Sequence, residues 1–225
     1  MLRAIALALA ITTAAAGGAA AEQRRLPISP VMQQTPVWCW AAVAEMVLRY
    51  SGYPALNTAS YQCGIVATLG GPCAHNCGFP PCITGIGNTH NFARVLEAYP
   101  QVARMLTGRD FDDLAVELAD RLSFDDIADE IDAGRPVVAG ISPGGLAPFL
   151  PDGISEHVAL IIGYAVRGER GYLIVNDPMP VQAIGFDPYL HAGARMLRPG
   201  QYEVSYRDFV IRLGYKDTLL GLERY

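Results

Sequence analysis

Lysine is nearly absent from this sequence: Lys216 is the only one, and arginine supplies the other positive charges. Charged residues make up only 17% of the 225 residues, and the net charge of −5 comes with no basic run. That balance argues against a nucleic acid as the natural partner. Glycine-rich phosphate loops and internal repeats are also missing from the sequence. Since 51% of the residues are apolar, disorder is excluded, and the length suits one domain with a single core.

Long hydrophobic runs are missing too, because no stretch after the first residues approaches the roughly 20 apolar residues of a membrane helix. At the start, Arg3 precedes the apolar segment 4–11 and a small-residue run that ends at Ala21. This order is typical of a secretory signal peptide, although a buried helix is an alternative. No cysteine follows the apolar segment directly, so no lipid anchor is indicated. We expect residues 1–21 to be removed and residues 22–225 to form one exported domain.

The five cysteines divide into one single residue and a cluster of four. The cluster lies in a segment rich in glycine and proline and consists of Cys63, Cys73, Cys77 and Cys82. In an oxidising compartment these four predict two disulfides, with three connectivities that the sequence leaves open. A zinc site that includes His75 is the alternative, but the spacings differ from those of paired zinc knuckles. Cys39 then remains unpaired.

A helix is predicted to begin at Cys39, after the irregular entry at Pro36. Apolar residues recur at helical spacing on one stripe, at Val43, Val47 and Tyr50. Gly52 stands where a left-handed C-terminal cap is expected. The unpaired N–H groups at a helix N-terminus favour a thiolate over a thiol. Tryptophan on each side of Cys39 can shield it from water, so this residue is a candidate nucleophile.

A thiolate nucleophile needs an imidazole base, and the imidazole needs a third group that orients it. His157 opens an apolar run that predicts a buried strand, and a second strand follows the turn at residues 167–170. If this turn closes a hairpin, the numbers of facing residues add up to about 337. His157 and Asp177 therefore lie together at the open end of the hairpin. Asn176 is the alternative orienting residue.

The segment from Gln33 to Ala41, with its Gln-x5-Cys-Trp-Ala pattern, resembles the active-site helix of papain-like cysteine peptidases. The form QQTPVWCWAA is most similar to the bacterial avirulence proteases, which are related to peptidases that process bacteriocin leaders. The resemblance implies an α+β fold in which a helical half with Cys39 packs on an antiparallel sheet or barrel with His157 and Asp177. It also implies that Gln33 donates a hydrogen bond to the oxyanion, with Gln34 as the alternative.

The function that the resemblance implies is that of a secreted cysteine endopeptidase. Peptide bonds would be hydrolysed by a Cys39–His157–Asp177 triad through a thioester acyl-enzyme, with no cofactor and no metal. We expect a protein or peptide substrate, no nucleic acid, no membrane anchor and a monomeric chain. One alternative uses the same triad for deamidation of protein glutamine, transglutamination or peptidoglycan amide hydrolysis. Another is a non-catalytic interaction module stabilised by its disulfides.

The middle of the chain predicts a further helix and strand. Ser123 and Asp126 form a capping pattern at the start of that helix, and Gly134 ends it. The strand over residues 135–142 then leads toward His157. Nearby acidic residues, at Asp125, Asp129 and Glu130, suit capping and a solvated face better than a metal site.

Three features depart from the family pattern. The loop of residues 63–82 could line a substrate cleft or be peripheral. Glu156 directly precedes the candidate base, where its carboxylate would raise the imidazole pKa or point to solvent. Residues 179–204 show no strong pattern, and a lid over the cleft is one interpretation.

Overall fold

The computed structural model describes residues 22–57, 59–143, 157–179 and 185–225. The predicted signal peptide over residues 1–21 and Glu156 lie outside these ranges. The helices are α1 Cys39–Tyr50, α2 Tyr61–Ala67, α3 Thr89–Thr107, α4 Phe124–Asp132, α5 Pro188–His191 and α6 Tyr206–Ile211. The strands are β1 Gln23–Arg25, β2 Glu117–Asp120, β3 Val137–Ile141, β4 His157–Arg167, β5 Arg170–Asn176, β6 Arg195–Arg198, β7 Gln201–Ser205 and β8 Asp217–Leu220. Short 3-10 helices occupy Gly71–Ala74 and Pro80–Cys82.

Helix α1 begins at Cys39, as predicted, and is the central helix of the core. The residues from Trp40 to Leu48 are all buried, and the helix packs against α2 and β4. Burial of each large apolar side chain contributes about 1.5–3 kcal/mol, so this helix is held mainly by tertiary packing. Gly52 has the positive φ of +81° that was expected after the helix.

The strands form a largely antiparallel sheet in the order β2-β8-β3-β4-β5-β7-β6. Strand β4 is long enough for two neighbours on one edge: β3 pairs with its first half and β1 with its second. The antiparallel sheet and the helices that pack on it confirm the predicted α+β class. The core lies between α1 and the sheet, in the apolar faces of β3, β4 and β5.

The β4–β5 hairpin confirms the predicted register. Arg167 pairs with Arg170, and the positive φ of Gly168 suits a two-residue turn. Facing residue numbers add up to 337 as far as Gly163 and Ile174, as the sequence predicted. A bulge then shifts the register by one residue, so Leu160 faces Asn176. Both strands therefore end together at the open end of the hairpin.

The bulge in β4 lies beside a close approach of two backbones. A Cβ atom on Gly163 would lie 2.4 Å from the carbonyl oxygen of Arg24 on β1. Since that oxygen belongs to the paired backbone, only glycine fits at this position without a shift of β1.

The capping pattern predicted at Ser123 is present. Its hydroxyl accepts from the backbone N–H of Asp126, whose carboxylate accepts from the backbone N–H of Ser123. The Glu130 carboxylate lies 2.6 Å from the Arg135 guanidinium, which lowers the pKa of Glu130 against the effect of its burial. These contacts give the acidic residues a structural role.

Two disulfides cross-link the cysteine-rich loop, Cys63–Cys77 and Cys73–Cys82. The predicted pairing is confirmed, and one of its three connectivities is selected. All four sulfurs are therefore in disulfides, and none is available as a zinc ligand in this structure. Within the described ranges, His, Cys, Asp and Glu side chains do not converge as a metal site requires.

The interpretation of residues 179–204 as a lid is wrong for the part that is described. Helix α5 and the β6–β7 hairpin occupy it, and β7 pairs with β5 inside the sheet. Because prolines and glycines interrupt this segment, the sequence showed no alternating pattern from which its short strands could be predicted. None of the helices in the described residues has the length and apolar character needed to cross a membrane.

Candidate active site

His157 and Asp177 form a buried pair at the open end of the β4–β5 hairpin. His157 Nε2 lies 2.8 Å from Asp177 Oδ1, and both side chains are almost fully buried. Asp177 is held from two sides, because its backbone N–H donates to Gly200 O and its Oδ1 accepts from Met179 N at 2.8 Å. The carboxylate is therefore fixed in the orientation that the imidazole needs.

The charge state of His157 results from two opposing effects. Burial disfavours the imidazolium, but the Asp177 carboxylate and Cys39 outweigh it and raise the pKa of His157 to about 10. The surroundings of His157 therefore favour the protonated form of the imidazole. Cys39 lies close enough to the ring to contribute to this shift, and both residues line the same cleft.

Cys39 is the free cysteine among the described residues and is partly exposed. It is the first residue of α1, and Trp38 at the N-cap position provides no side-chain cap. The backbone N–H groups of the first turn therefore keep their partial positive charge toward the thiol. The structure thus brings together a thiol, an imidazole and a carboxylate that are far apart in the sequence.

Asn176, the alternative orienting residue, points away from His157. Its amide nitrogen donates to Ile28 O at 3.1 Å, and its Oδ1 accepts from Gln201 Nε2 at 2.7 Å. Side chains alternate along a strand, so Asn176 and Asp177 face opposite sides of the sheet. Between the two, the structure places Asp177 at the imidazole.

The two candidate glutamines differ in their exposure and in their hydrogen-bond partners. Gln34 is exposed, and its Oε1 accepts from the Ser60 hydroxyl at 2.8 Å. Gln33 is partly buried, and its backbone N–H donates to Pro178 O at 2.9 Å, next to Asp177. Its amide nitrogen donates one N–H to Thr35 O at 2.9 Å. Gln33 Oε1 is buried and accepts no hydrogen bond within the described part of the chain.

A cleft of about 440 Å³ contains Cys39 and His157. One wall is α1, and the opposite wall belongs to the sheet. The third wall, here called the cleft loop, is formed by residues 84–89, which directly follow the last cysteine of the cluster. Residues 63–82 themselves do not line this cleft, and the cysteine-rich loop leads into it only through the cleft loop.

The two tryptophans that flank Cys39 connect α1 to this wall. The Trp38 indole donates to Cys82 O at 3.1 Å, and the Trp40 indole donates to Thr84 O at 3.1 Å. Both rings are almost fully buried. The tryptophans thus fix the start of the cleft loop, a role that was not predicted from the sequence.

Asp217 on β8 contributes a carboxylate to the sheet side of the cleft. It faces Gly140 on β3, where a Cβ atom would lie 1.6 Å from Asp217 Oδ1. Glycine at this position therefore makes the room for the carboxylate. Only the pairing of β3 with β8 reveals this relationship, because the two residues are far apart in the sequence.

Tyr189 on α5 lies behind Asp177 and was also not predicted. Its ring is fully buried and stacks on Tyr202 with 4.3 Å between the centroids. Burial, followed by the nearby Asp177 carboxylate, raises the pKa of Tyr189 well above its usual value. The buried ring of this tyrosine therefore lies close to the Asp177 carboxylate and stays uncharged.

The other three histidines, His75, His90 and His191, are exposed and do not line the cleft.

A partly exposed thiol beside a buried histidine–aspartate pair is the arrangement used by the class of cysteine peptidases. The model of the Peptidase C39 like family matches residues 25–189 of the sequence. The chain belongs to this family, and membership implies a cysteine peptidase.

Two solved structures are similar to this chain at low sequence identity. Digestive procathepsin L 3 of Tenebrio molitor larval midgut is 14% identical, with a TM-score of 0.47, over 87% of this chain and 68% of that one. The protein named "putative C39-like peptidase" from Bacillus anthracis is 14% identical, with a TM-score of 0.43, over 90% of this chain and 100% of that one. No curated protein matches the sequence.

Proposed function

We propose that this protein is an exported cysteine endopeptidase with Cys39, His157 and Asp177 as its catalytic triad and Gln33 as an oxyanion donor. The observation that carries the proposal is the 2.8 Å contact between His157 Nε2 and Asp177 Oδ1 beside the free thiol. The Asp177 carboxylate favours the charged form of the imidazole beside Cys39, and that charge is the partner that thiolate-based catalysis uses.

In the first half of the reaction, the Cys39 thiolate attacks the carbonyl carbon of the scissile peptide bond. The carbonyl oxygen becomes an oxyanion, which the backbone N–H of Cys39 and the second amide N–H of Gln33 stabilise. The Thr35 contact uses one of the two amide N–H groups of Gln33 and leaves the other for this role. His157 then gives its proton to the amine as the C–N bond breaks, and a thioester remains on Cys39.

In the second half, neutral His157 takes a proton from a water molecule that attacks the thioester carbonyl. The C–S bond breaks, the carboxylic acid product leaves and the thiolate–imidazolium pair is restored. Asp177 keeps the same hydrogen bond throughout and orients the ring for both proton transfers. The residues of this mechanism need neither a metal ion nor a cofactor.

Export is supported by the covalent chemistry of the chain. The Cys63–Cys77 and Cys73–Cys82 disulfides persist in oxidising compartments and are rare in reducing ones. The signal-peptide pattern before Glu22 is the second argument. A single chain carries every group of the proposed triad, which is consistent with a monomer.

The proposal is tested by incubating purified protein with a quenched peptide library and with a denatured protein substrate. We expect new peptide termini with the wild type, and a loss of activity of about 10³-fold or more with Cys39→Ala or His157→Ala. His75→Ala is the matched control, because this histidine is exposed and lies outside the cleft. Cleavage that survives Cys39→Ala would contradict the mechanism, and ammonia release without chain cleavage would contradict the endopeptidase assignment.

A further inference from the structure

Gln62, the second residue of α2, is a buried amide whose polar atoms are all used. It is 1% exposed, although it lies in a short helix near the cysteine-rich loop. Its Nε2 donates to Met32 O at 2.9 Å and to Glu45 Oε2 at 3.1 Å. Its Oε1 accepts from the backbone N–H of Gln34 at 3.0 Å.

The two backbone partners of Gln62 lie on either side of Gln33. Met32 O belongs to the peptide group before the Gln33 Cα, and Gln34 N belongs to the one after it. The Gln33 backbone N–H is itself bonded to Pro178 O. Fixing both flanking peptide groups removes the backbone freedom of Gln33, so only its side-chain torsions remain.

The third contact connects the same amide to the helix of the nucleophile. Glu45 lies on α1 and is 5% exposed, and its other oxygen lies 2.7 Å from the Arg49 guanidinium. The next residue of α2, Cys63, is held by its disulfide to Cys77. Gln62 is therefore itself held firmly and links the Gln33 segment to α1.

Only an amide side chain can make all of these contacts. It carries two N–H donors and an acceptor on one planar group, whereas a carboxylate lacks the donors and a methionine lacks both. We propose that Gln62 is a positioning residue that holds Gln33 for oxyanion stabilisation. This role rests on the proposed peptidase function and adds to it a residue that contacts neither the substrate nor the thiol.

The test is the Gln62→Met variant, which has a similar volume and removes the three hydrogen bonds. An oxyanion donor acts in the transition state and not in substrate binding, so kcat falls by about tenfold or more, while KM changes less than about twofold. The rate of Cys39 alkylation by iodoacetamide stays at the wild-type value, because thiolate formation does not use Gln33. Gln101→Ala is the control, since this glutamine is exposed on α3 and lies outside the cleft.

A double-variant comparison separates positioning from general destabilisation. In a Gln33→Ala background, Gln62→Met causes no further loss of kcat, because the group that it positions is already gone. Circular dichroism confirms folding of each variant. If Gln62→Met does not fold, Gln62→Glu takes its place, because it keeps an acceptor for Gln34 N–H and loses the donors to Met32 O and Glu45.

Each other result overturns the role of Gln62. The first such result is an unchanged kcat in Gln62→Met. The second is a loss of kcat in the Gln33→Ala background as large as the loss in the wild type. The third is an alkylation rate that falls as much as kcat. The last result would mean that Gln62 acts on α1 and the thiol. A wild type with no Cys39-dependent hydrolysis would instead overturn the proposed function itself, and the role of Gln62 with it.

Discussion

His157 begins β4 and Asp177 directly follows β5, and the hairpin between them brings His157 Nε2 to within 2.8 Å of Asp177 Oδ1. Both side chains are buried, so water does not weaken their electrostatic interaction. The short turn at Gly168 closes the far end of the same hairpin. The geometry of the proposed catalytic pair is therefore a consequence of local strand pairing.

Replacement of Asp177 should change the pH range in which His157 stays charged. The pKa of His157 is raised to about 10 because Asp177 and Cys39 outweigh the opposite effect of burial. Asp177→Asn removes a negative charge, so the imidazolium should lose its proton at lower pH, by about one unit or more. The measurement is the rate of Cys39 alkylation by iodoacetate, an anion that the imidazolium attracts, as a function of pH. The rate falls on the alkaline side as His157 loses its proton, and the pH of this alkaline limb shows the change.

Asn176→Ala is the matched control for that experiment. It removes a buried amide that bonds Ile28 O and Gln201 on the opposite face of the sheet. We expect a loss of about 1–3 kcal/mol in the free energy of unfolding, with the alkaline limb unchanged. A limb that moves with Asn176→Ala and not with Asp177→Asn would contradict the assignment of Asp177.

The five cysteines should differ sharply in their reactivity toward alkylating reagents. Cys39 is free beside an imidazole whose charged form is favoured, while the four cysteines of the loop are paired. Brief iodoacetamide treatment at about pH 5.5 without reductant should therefore give one rapid adduct, since ordinary thiols are barely ionised there. Intact mass and peptide mapping locate the adduct. Labelling within residues 63–82 would show that a predicted disulfide is absent in solution.

Trp40 should affect substrate binding through the cleft loop. Trp40→Phe removes the indole N–H that donates to Thr84 O at 3.1 Å and keeps an aromatic ring. We expect a loss of about 1 kcal/mol in stability and a KM raised about threefold or more, because residues 84–89 line the cleft. Urea unfolding and steady-state kinetics measure the two effects.

Tyr50→Phe provides the comparison on the same helix. Its hydroxyl also donates to a backbone carbonyl, that of Gly134 at 2.9 Å, but neither residue lines the cleft. This variant should not raise the KM. Equal KM values for the two variants would mean that the Trp40 contact does not shape the cleft.

Gly163 should tolerate no side chain. In Gly163→Ala, the new Cβ would lie 2.4 Å from Arg24 O, so β1 must move away from β4. The expected cost is about 1–3 kcal/mol in the free energy of unfolding, measured in urea. Gly78→Ala is the control, since its nearest neighbour would be the Asn76 side chain at 3.4 Å. A stable Gly163→Ala variant would contradict the close strand approach.

Several elements could be predicted because their signals are local. The start of α1 at Cys39, the Ser123 cap and the hairpin register follow from residues near one another in the sequence. Cysteine parity predicted the paired loop and the free thiol without any three-dimensional information. The segment after Asp177 was misread because its strands are short and are stabilised by the pairing of β7 with β5 and of β6 with β7.

What the sequence determined by itself is the set of reactive residue types and the short-range geometry of each element. Only the tertiary structure places Asp177, and not Asn176, beside His157, since the two side chains lie on opposite faces of the sheet. It also decided the surroundings of Gln33, where Gln62 and Pro178 come from distant parts of the chain. Such contacts carry no signature in local sequence, because they depend on how α1, α2 and the sheet pack together.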